Sequence, residues 1–475
     1  PTREENFPEW YQQVIKAADL AENAPVRGCM VIKPYGFALW ENVQRALDDM
    51  IKEEDVQNAY FPLLIPLSFI SREAEHVDGF AKECAVVTHH RLEKGEEGGL
   101  VPSPDAQLEE PFIIRPTSET IIGDSMAKWV QSYRDLPLKL NQWCNVMRWE
   151  LRTRMFLRTS EFLWQEGHNA FATPEEANED ARKMLKVYQK LYRDWMAMPG
   201  IPGEKTADER FPGADHSYTY ESMMQDGKAL QACTSHNLGQ NFSKSFGIQY
   251  QGEDGQSHHA YTTSWGLSTR SIGGLIMTHS DDDGLIMPPK VAPHQVAIIP
   301  VLRDDSGKAT VIEFCRKLKD SLKEKGVRTF LDESDSRTPD KMWNSIKKGI
   351  PIRVEVGARE VEEGRVTWVR RDIGRDSKTS GTVDAFINEI SHLLTEVHQA
   401  LYDRAEKFTR ENITDVSGLD EIRQFYVEGG FGFVRTDKAV LDNPELEAVQ
   451  KEFSITSRCL PFEDDGQKVI IGKSY

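Results

Sequence analysis

Charged residues crowd one stretch of the chain, Asn141–His168 (NQWCNVMRWELRTRMFLRTSEFLWQEGH). Arg148, Glu150, Arg152, Arg154, Arg158 and Glu161 stand there among Trp143, Val146, Trp149, Phe156, Leu157, Phe162 and Trp164. The near-alternation predicts two antiparallel strands joined by a basic loop at Arg152–Arg154. Val146, Arg148 and Glu150 would then share one face of the first strand. An Arg and a Glu on a sheet face cost free energy to bury unless ligands meet them. A phosphate and an amine are ligands of the right charge. A surface hairpin carrying ion pairs accounts for the same residues.

Three other stretches carry polar residues of chemical interest. The predicted strand Phe112–Arg115 runs into Pro116-Thr117-Ser118-Glu119-Thr120, a turn with a helix N-cap signature and a carboxylate near the helix start. A plain capping box explains it equally well. Between Lys205 and Phe246 come Phe211, Gln231, Thr234, Ser235, His236 and Asn241. Residues 262–279 read as a strand, a Trp-Gly break, then Arg270 opening a small-residue helix with Gly273 and Gly274. Its alternative is an arginine snorkelling at a helix end. His89, His90, His258 and His259 read as surface or loop histidines.

The elements that must position these residues follow from periodicity. Residues 4–22 predict an amphipathic helix. Met30–Ile32 reads as a short strand, followed by a Pro34-Tyr35-Gly36 turn and a helix from Phe37 to Lys52 with apolar residues at helical spacing. A strand Ala59–Ile65 then ends at Pro66. Such a pair is either ordinary α/β packing or an element that pairs across a two-fold axis. Residues 93–110 read as loop, and 174–198 as an amphipathic helix with Pro174 just inside its start. Composition shifts at Asp281–Pro289, where a domain boundary is expected. From Gln295 strands and helices alternate, which predicts a compact α/β unit with a mixed sheet. The tail after 411 is less regular, with helices near 418–427 and 443–452 and a final strand.

Bulk properties narrow the class. The chain has 475 residues, 39% hydrophobic and 28% charged, as in soluble globular proteins. No run reaches the apolar length of a membrane span, and the polar start PTREENFPEW does not read as a secretory signal. The six cysteines contain no C-x-x-C pair, which argues against a zinc site or a disulfide framework and for a reducing cytosol. Net charge is −18, mildly unfavourable to nucleic acid. Yet Pro288 to Arg410 carries 23 Lys and Arg against 20 Asp and Glu, so one region is free of that deficit.

Taken together, the chain resembles the class II aminoacyl-tRNA synthetases, and among them the prolyl-tRNA synthetases of the archaeal/eukaryotic-like type. The class's three loose motifs have counterparts in order: the helix and Pro-ended strand at 37–66; Arg148, Glu150 and Arg158; and Gly266 with Arg270. The proline-specific likeness rests on RPTSET (115–120), FLRTSEFLWQEGH (156–168), LQACTSHNLGQNF (230–242) and TTSWGLSTR (262–270). The resemblance implies an α/β fold: an antiparallel catalytic sheet flanked by helices (1–285), a mixed-sheet α/β anticodon-binding domain (290–400) and a small C-terminal α/β domain (405–475). It implies ATP-dependent activation of L-proline, transfer to tRNA(Pro), Mg2+ with the ATP, a homodimer and a cytoplasmic location.

Residue roles follow from the resemblance. Arg148 would bridge the prolyl carboxylate and the α-phosphate, Arg158 and Arg270 would hold the outer phosphates, and Glu150 would contact the adenine side. Gln231, Thr234 and Ser268 would line the ATP site. Thr117 and Glu119 would take the secondary ammonium. Trp164, Glu166, His168, Phe211, His236 and Ser264 would enclose the ring, the two histidines as pocket wall rather than proton shuttles. The sequence departs from the family in two ways. Where relatives of this type often carry four zinc cysteines, only Cys459 stands, so no zinc is expected. About 60 residues separate His168 from Gln231, too few for the editing domain that bacterial-type relatives insert. A synthetase for threonine or glycine, or an inactive tRNA-binding paralogue, are the competing readings.

Overall fold

The computed structural model describes residues 1–71 and 83–475. Its centre is an eleven-stranded sheet. The strands that matter for the site are β1 (Leu138–Met147), β2 (Glu161–Phe171), β3 (Ile201–Glu204), β4 (His216–Met223), β5 (Ala229–Gly239), β6 (Tyr261–Ser268) and β7 (Thr456–Pro461). They lie side by side in the order β7-β3-β4-β5-β6-β2-β1, and each neighbouring pair is antiparallel.

Five helices bear on the sheet, its cavities or the second unit, here labelled α1 (Pro34–Glu53), α2 (Glu119–Trp129), α3 (Pro174–Asp194), α4 (Arg270–His279) and α5 (Val383–Glu411) in chain order; α3 packs on one face of the sheet, against β2, β4, β5 and β6. α3 forms where Thr173 caps it, its side chain accepting from Glu176 N at 3.2 Å, and Pro174 supplies the first turn. Its buried stripe, Ala177, Ala181, Met184, Leu185, Tyr188 and Leu191, repeats at three- and four-residue steps. Tyr188 is buried against Trp265 and donates to Gln165 Oε1 at 2.5 Å. Each fully buried side chain of this size contributes roughly 1.5–3 kcal/mol. Gly167 is required beneath this contact, because a Cβ there would lie 2.0 Å from the Trp265 ring. α1 buries Leu39, Val43, Leu47 and Ile51 in the same core.

The second unit has the mixed five-stranded sheet that the alternating pattern predicts. Val296–Pro300 pairs in parallel with Thr329–Leu331 and Ile352–Val356, and the sheet continues antiparallel through Arg365–Arg370. Val383–Glu411, the long α5, closes it with Phe386, Ile390 and Leu401. The unit is tied to the catalytic core at the composition shift: Arg371 bonds both oxygens of Asp281 at 2.7 and 2.9 Å, and Arg404 donates to His279 O at 3.2 Å.

Several local readings change. The stretch read as loop at 93–110 contains the hairpin Leu92–Lys94 with Leu100–Pro102, and strand Gln107–Ile114 begins inside it. Glycines 95, 98 and 99 make the turn, with φ of 89° and 73° at the last two. Ala59–Ile65 is not one strand. Gln57–Asn58 joins β1, while Leu64–Pro66 joins Gln107–Ile114 in another sheet. Arg148 and Glu150 lie beyond the end of β1: Arg148 N still bonds Ser160 O at 2.7 Å, in line with the β1–β2 pairing, but Trp149 N turns to Glu83 O at 2.8 Å and Glu150 N to Ser160 Oγ at 3.1 Å. The first helix is shorter than 4–22, covering Phe7–Ala17. The C-terminal strands do not stand apart: β7 pairs with β3, Gly203 opposite Pro461, so their sheet continues the catalytic one.

Candidate active site

Strand register sets polar side chains in rows on the sheet face opposite α3. Trp164, Glu166 and His168 alternate along β2, facing Ser268, Gly266 and Ser264 on β6. Across β6, Thr234 and His236 of β5 stand opposite Gly266 and Ser264, and beyond them come Thr219 and Ser217 of β4. Gln231 is three residues from Thr234, a spacing that regular pleating would send to the other face. A register shift between Tyr220 and Glu221 on β4 returns Gln231 to the polar face, opposite Glu221.

Two cavities open on this surface. One, of about 290 Å³, is lined by Arg148, Glu150, Arg158, Gln231, Thr234, Ser268 and Arg270, together with Phe156, Phe162 and Thr159. The other, of about 350 Å³, is lined by Thr117, Glu119, Arg148, Trp164, Glu166, His168, Phe211, His236 and Ser264. Arg148, Trp164, Gln231, Thr234 and Gly266 belong to both walls. The resemblance assigns Gln231 and Thr234 to the nucleotide side alone, whereas both reach the second cavity as well.

The first cavity is cationic. Arg148 donates from Nε to Pro116 O at 2.9 Å, and its guanidinium lies 5.3 and 5.6 Å from the Trp164 and Phe162 ring centres. Burial lowers its pKa and the charges of Glu119 and Glu166 oppose that shift. Arg158 sits 3.4 Å from Glu150, half exposed. Arg270 is the first residue of α4, and its Nε is buried without a hydrogen-bond partner. Burial and the neighbouring Arg158 both weaken its hold on the proton. A buried guanidinium nitrogen left unpaired is costly, and a phosphate oxygen would satisfy it.

The second cavity is built around a buried ion pair. Glu166 accepts from Ser118 N at 3.1 Å and lies 2.8 Å from His168 Nε2, with Cys144 Sγ at 3.4 Å. Burial pushes Glu166 up, but His168, Ser118 and Cys144 outweigh it and hold the carboxyl below its ordinary range. Burial likewise pushes His168 down, and Glu166 and Glu119 more than reverse it. His236 behaves oppositely: burial and Lys205 push it down to about 3. Its Nδ1 is 2.8 Å from Ser217 Oγ, and its ring stacks on Phe211 at 4.7 Å. His236 is therefore a neutral wall, while Glu166 and Glu119 favour the charged form of His168. At the helix start, Thr117 Oγ1 donates to Glu119. The capping box does not form: Ser118 makes no side-chain cap bond and instead accepts from Gln142 Nε2 at 3.3 Å.

Lys205, Glu209, Arg210 and Pro212 also line the second cavity. They were not singled out from the sequence, although the run Lys205–Phe211 places both charges beside an aromatic in coil. Arg115 of RPTSET is not a cavity residue; it is buried and donates to Phe61 O and Asn145 O, each at 2.8 Å. Among the described residues no group of three His, Cys, Asp or Glu side chains could hold a metal, and no helix is long and apolar enough to cross a membrane.

Residues 103–279 match the core domain of class II tRNA synthetases (G, H, P, S and T), and residues 295–393 match an anticodon binding domain. Fold and site thus define a class II aminoacyl-tRNA synthetase. The chain is 53% identical to the proline–tRNA ligase of Bdellovibrio bacteriovorus, covering 100% of this chain and 96% of that protein. It is 54% identical to the proline–tRNA ligase of Rhodopirellula baltica, with 100% and 97% covered. The Salinibacter ruber enzyme of the same name is 49% identical over 99% and 96%. The chain belongs to the proline–tRNA ligase family.

Proposed function

We propose that this chain activates L-proline with ATP and transfers the prolyl group to the 3′ end of tRNA(Pro), releasing pyrophosphate and AMP. The observation that carries this reading is the shared wall: Arg148 lines both cavities, between the guanidinium groups of Arg158 and Arg270 and the carboxylate of Glu119. ATP fills the Arg158–Arg270 side and proline the Glu119–His168 side. Arg148 then holds the carboxylate nucleophile against the α-phosphate for in-line attack, and the carboxylate oxygen displaces pyrophosphate. Arg158 and Arg270 take the outer phosphates, and Glu150 lies toward the adenine. Glu119 and Thr117 receive the secondary ammonium. Trp164, Phe211, His236 and Ser264 enclose the ring, with the Glu166–His168 pair beneath. No nucleophilic side chain is needed; positioning and charge neutralisation suffice.

The one carboxylate of the ATP cavity, Glu150, is already engaged by Arg158. Magnesium therefore fits as an ion carried by the nucleotide's own phosphates, where it neutralises charge. The catalytic domain spans about 1–285, the anticodon-binding domain 290–400 and the C-terminal domain 405–475, with tRNA laid across the first two. A second copy of the chain covers the exposed apolar residues Tyr60, Leu64, Leu67 and Val86, giving a homodimer. The reaction belongs to the cytoplasm. Exchange of labelled pyrophosphate into ATP, tried with each of the twenty amino acids, tests the reading. Proline dependence is expected. Exchange with threonine or glycine instead, or with none, removes it.

A further inference from the structure

Behind the nucleotide cavity lies an ion pair that lines neither cavity. Arg458 of β7 sends Nε to Glu221 Oε1 of β4 at 2.7 Å, with side-chain exposures of 9% and 0%. The same guanidinium donates from its Nη1 to Thr456 Oγ1 at 2.8 Å, and Thr219 donates its hydroxyl to Glu221. Glu221 stands directly opposite Gln231, which lines both cavities. It is also close enough for its charge to act on Arg270 and Lys205, and Arg458 acts on both with the opposite sign.

A carboxylate this deeply buried must be paired. Two cations other than Arg458 are near: Arg270, whose Nε has no partner, and Lys205. With Arg458 in place, Glu221 is satisfied and Arg270 remains available to the cavity. Without it, the cations left near Glu221 are Arg270 and Lys205, and Glu221 would attract Arg270 away from the space that the phosphates need. Arg458 reaches Glu221 because β7 is paired to β3, next to β4.

We propose that Arg458 is a positioning residue of the nucleotide cavity: by engaging Glu221 it keeps Arg270 directed at ATP, so that a residue of the C-terminal segment supports the active site. This rests on the reading that ATP fills the cavity between Arg148 and Arg270.

The test is proline-dependent pyrophosphate exchange on the full chain, with KM for ATP and for proline measured separately and thermal unfolding followed alongside. In Arg458→Met and Arg458→Gln the KM for ATP rises by about tenfold or more while that for proline stays within about twofold, since one unpaired buried charge redirects a phosphate ligand. Arg458→Lys, which keeps the charge, returns most of the loss. The double variant Glu221→Gln with Arg458→Gln leaves no unpaired charge, and its KM for ATP falls back to within about threefold of the parent. Val469→Ala, in the apolar core of the C-terminal segment, lowers the unfolding temperature and leaves the KM for ATP unchanged.

An unchanged KM for ATP in the single variants overturns the proposal. So does a double variant no better than the singles, or a rise in Val469→Ala that follows stability alone. Should Arg458→Met not fold, Arg458→Gln against the double variant decides in the same way. Failure of the parent chain to exchange would strike the proposed function itself; exchange by the parent with unaltered variants strikes only the role of Arg458.

Discussion

His168 and Glu166 form a buried ion pair on one strand, 2.8 Å apart, with side-chain exposures of 7% and 4%. The pair sets a pH window for stability. His168 is held above its ordinary 6.5, so its contribution is whole below that value and is lost as pH rises through the raised one. Glu166 is held below its ordinary 4.5, so its contribution is whole above that value and is lost as pH falls through the lowered one. Thermal melts of the parent and His168→Gln across pH should differ most between 4.5 and 6.5 and converge on the alkaline side. A constant difference at all pH values would contradict the pairing.

Arg148→Ala should reduce proline-dependent exchange by about 10²–10³ or more, the scale of losing a preorganised donor to developing charge. The far-ultraviolet circular dichroism should be unchanged, because the substitution leaves the backbone bond from Arg148 N to Ser160 O in place. Near-normal exchange in a folded Arg148→Ala would remove Arg148 from the bridging role.

Glu119→Gln should act on proline and not on ATP. Losing a charged partner for the ammonium is worth roughly 1.5–3 kcal/mol, so KM for proline should rise by about tenfold to a hundredfold. KM for ATP should hold, since Glu119 lines only the second cavity. Steady-state exchange with each substrate varied in turn distinguishes the two.

Gly167→Ala should destabilise the chain by about 1–3 kcal/mol or more through overpacking, the new methyl meeting the Trp265 ring at 2.0 Å. A lowered urea midpoint with an unchanged slope is the expected signature.

The site was legible where side-chain chemistry is concentrated in short runs. Residues 115–120, 156–168 and 262–270 supply most of the first cavity and half of the second, and the alternation within the latter two runs already indicates a shared face. What remained hidden depends on geometry that no local pattern encodes. Gln231 and Thr234 share a face only through the register shift opposite Glu221. Lys205 and Glu209 look like ordinary coil until β3 and β4 bring them beside His236. The small C-terminal domain is what the resemblance implies; that β7 pairs with β3 depends on backbone groups, which leave no trace in side-chain composition. The alternation that predicts strand for Arg148 and Glu150 runs on past Met147, whereas the backbone leaves the pairing at Trp149, whose N–H goes to Glu83 O.

α4 begins with Arg270 and ends at His279, a rod of about 15 Å at helical rise. Its far end is gripped by the anticodon-binding unit, through Arg404 on His279 O and Arg371 on Asp281. One ten-residue helix thus carries a phosphate-cavity guanidinium at one end and the second unit's hydrogen bonds at the other.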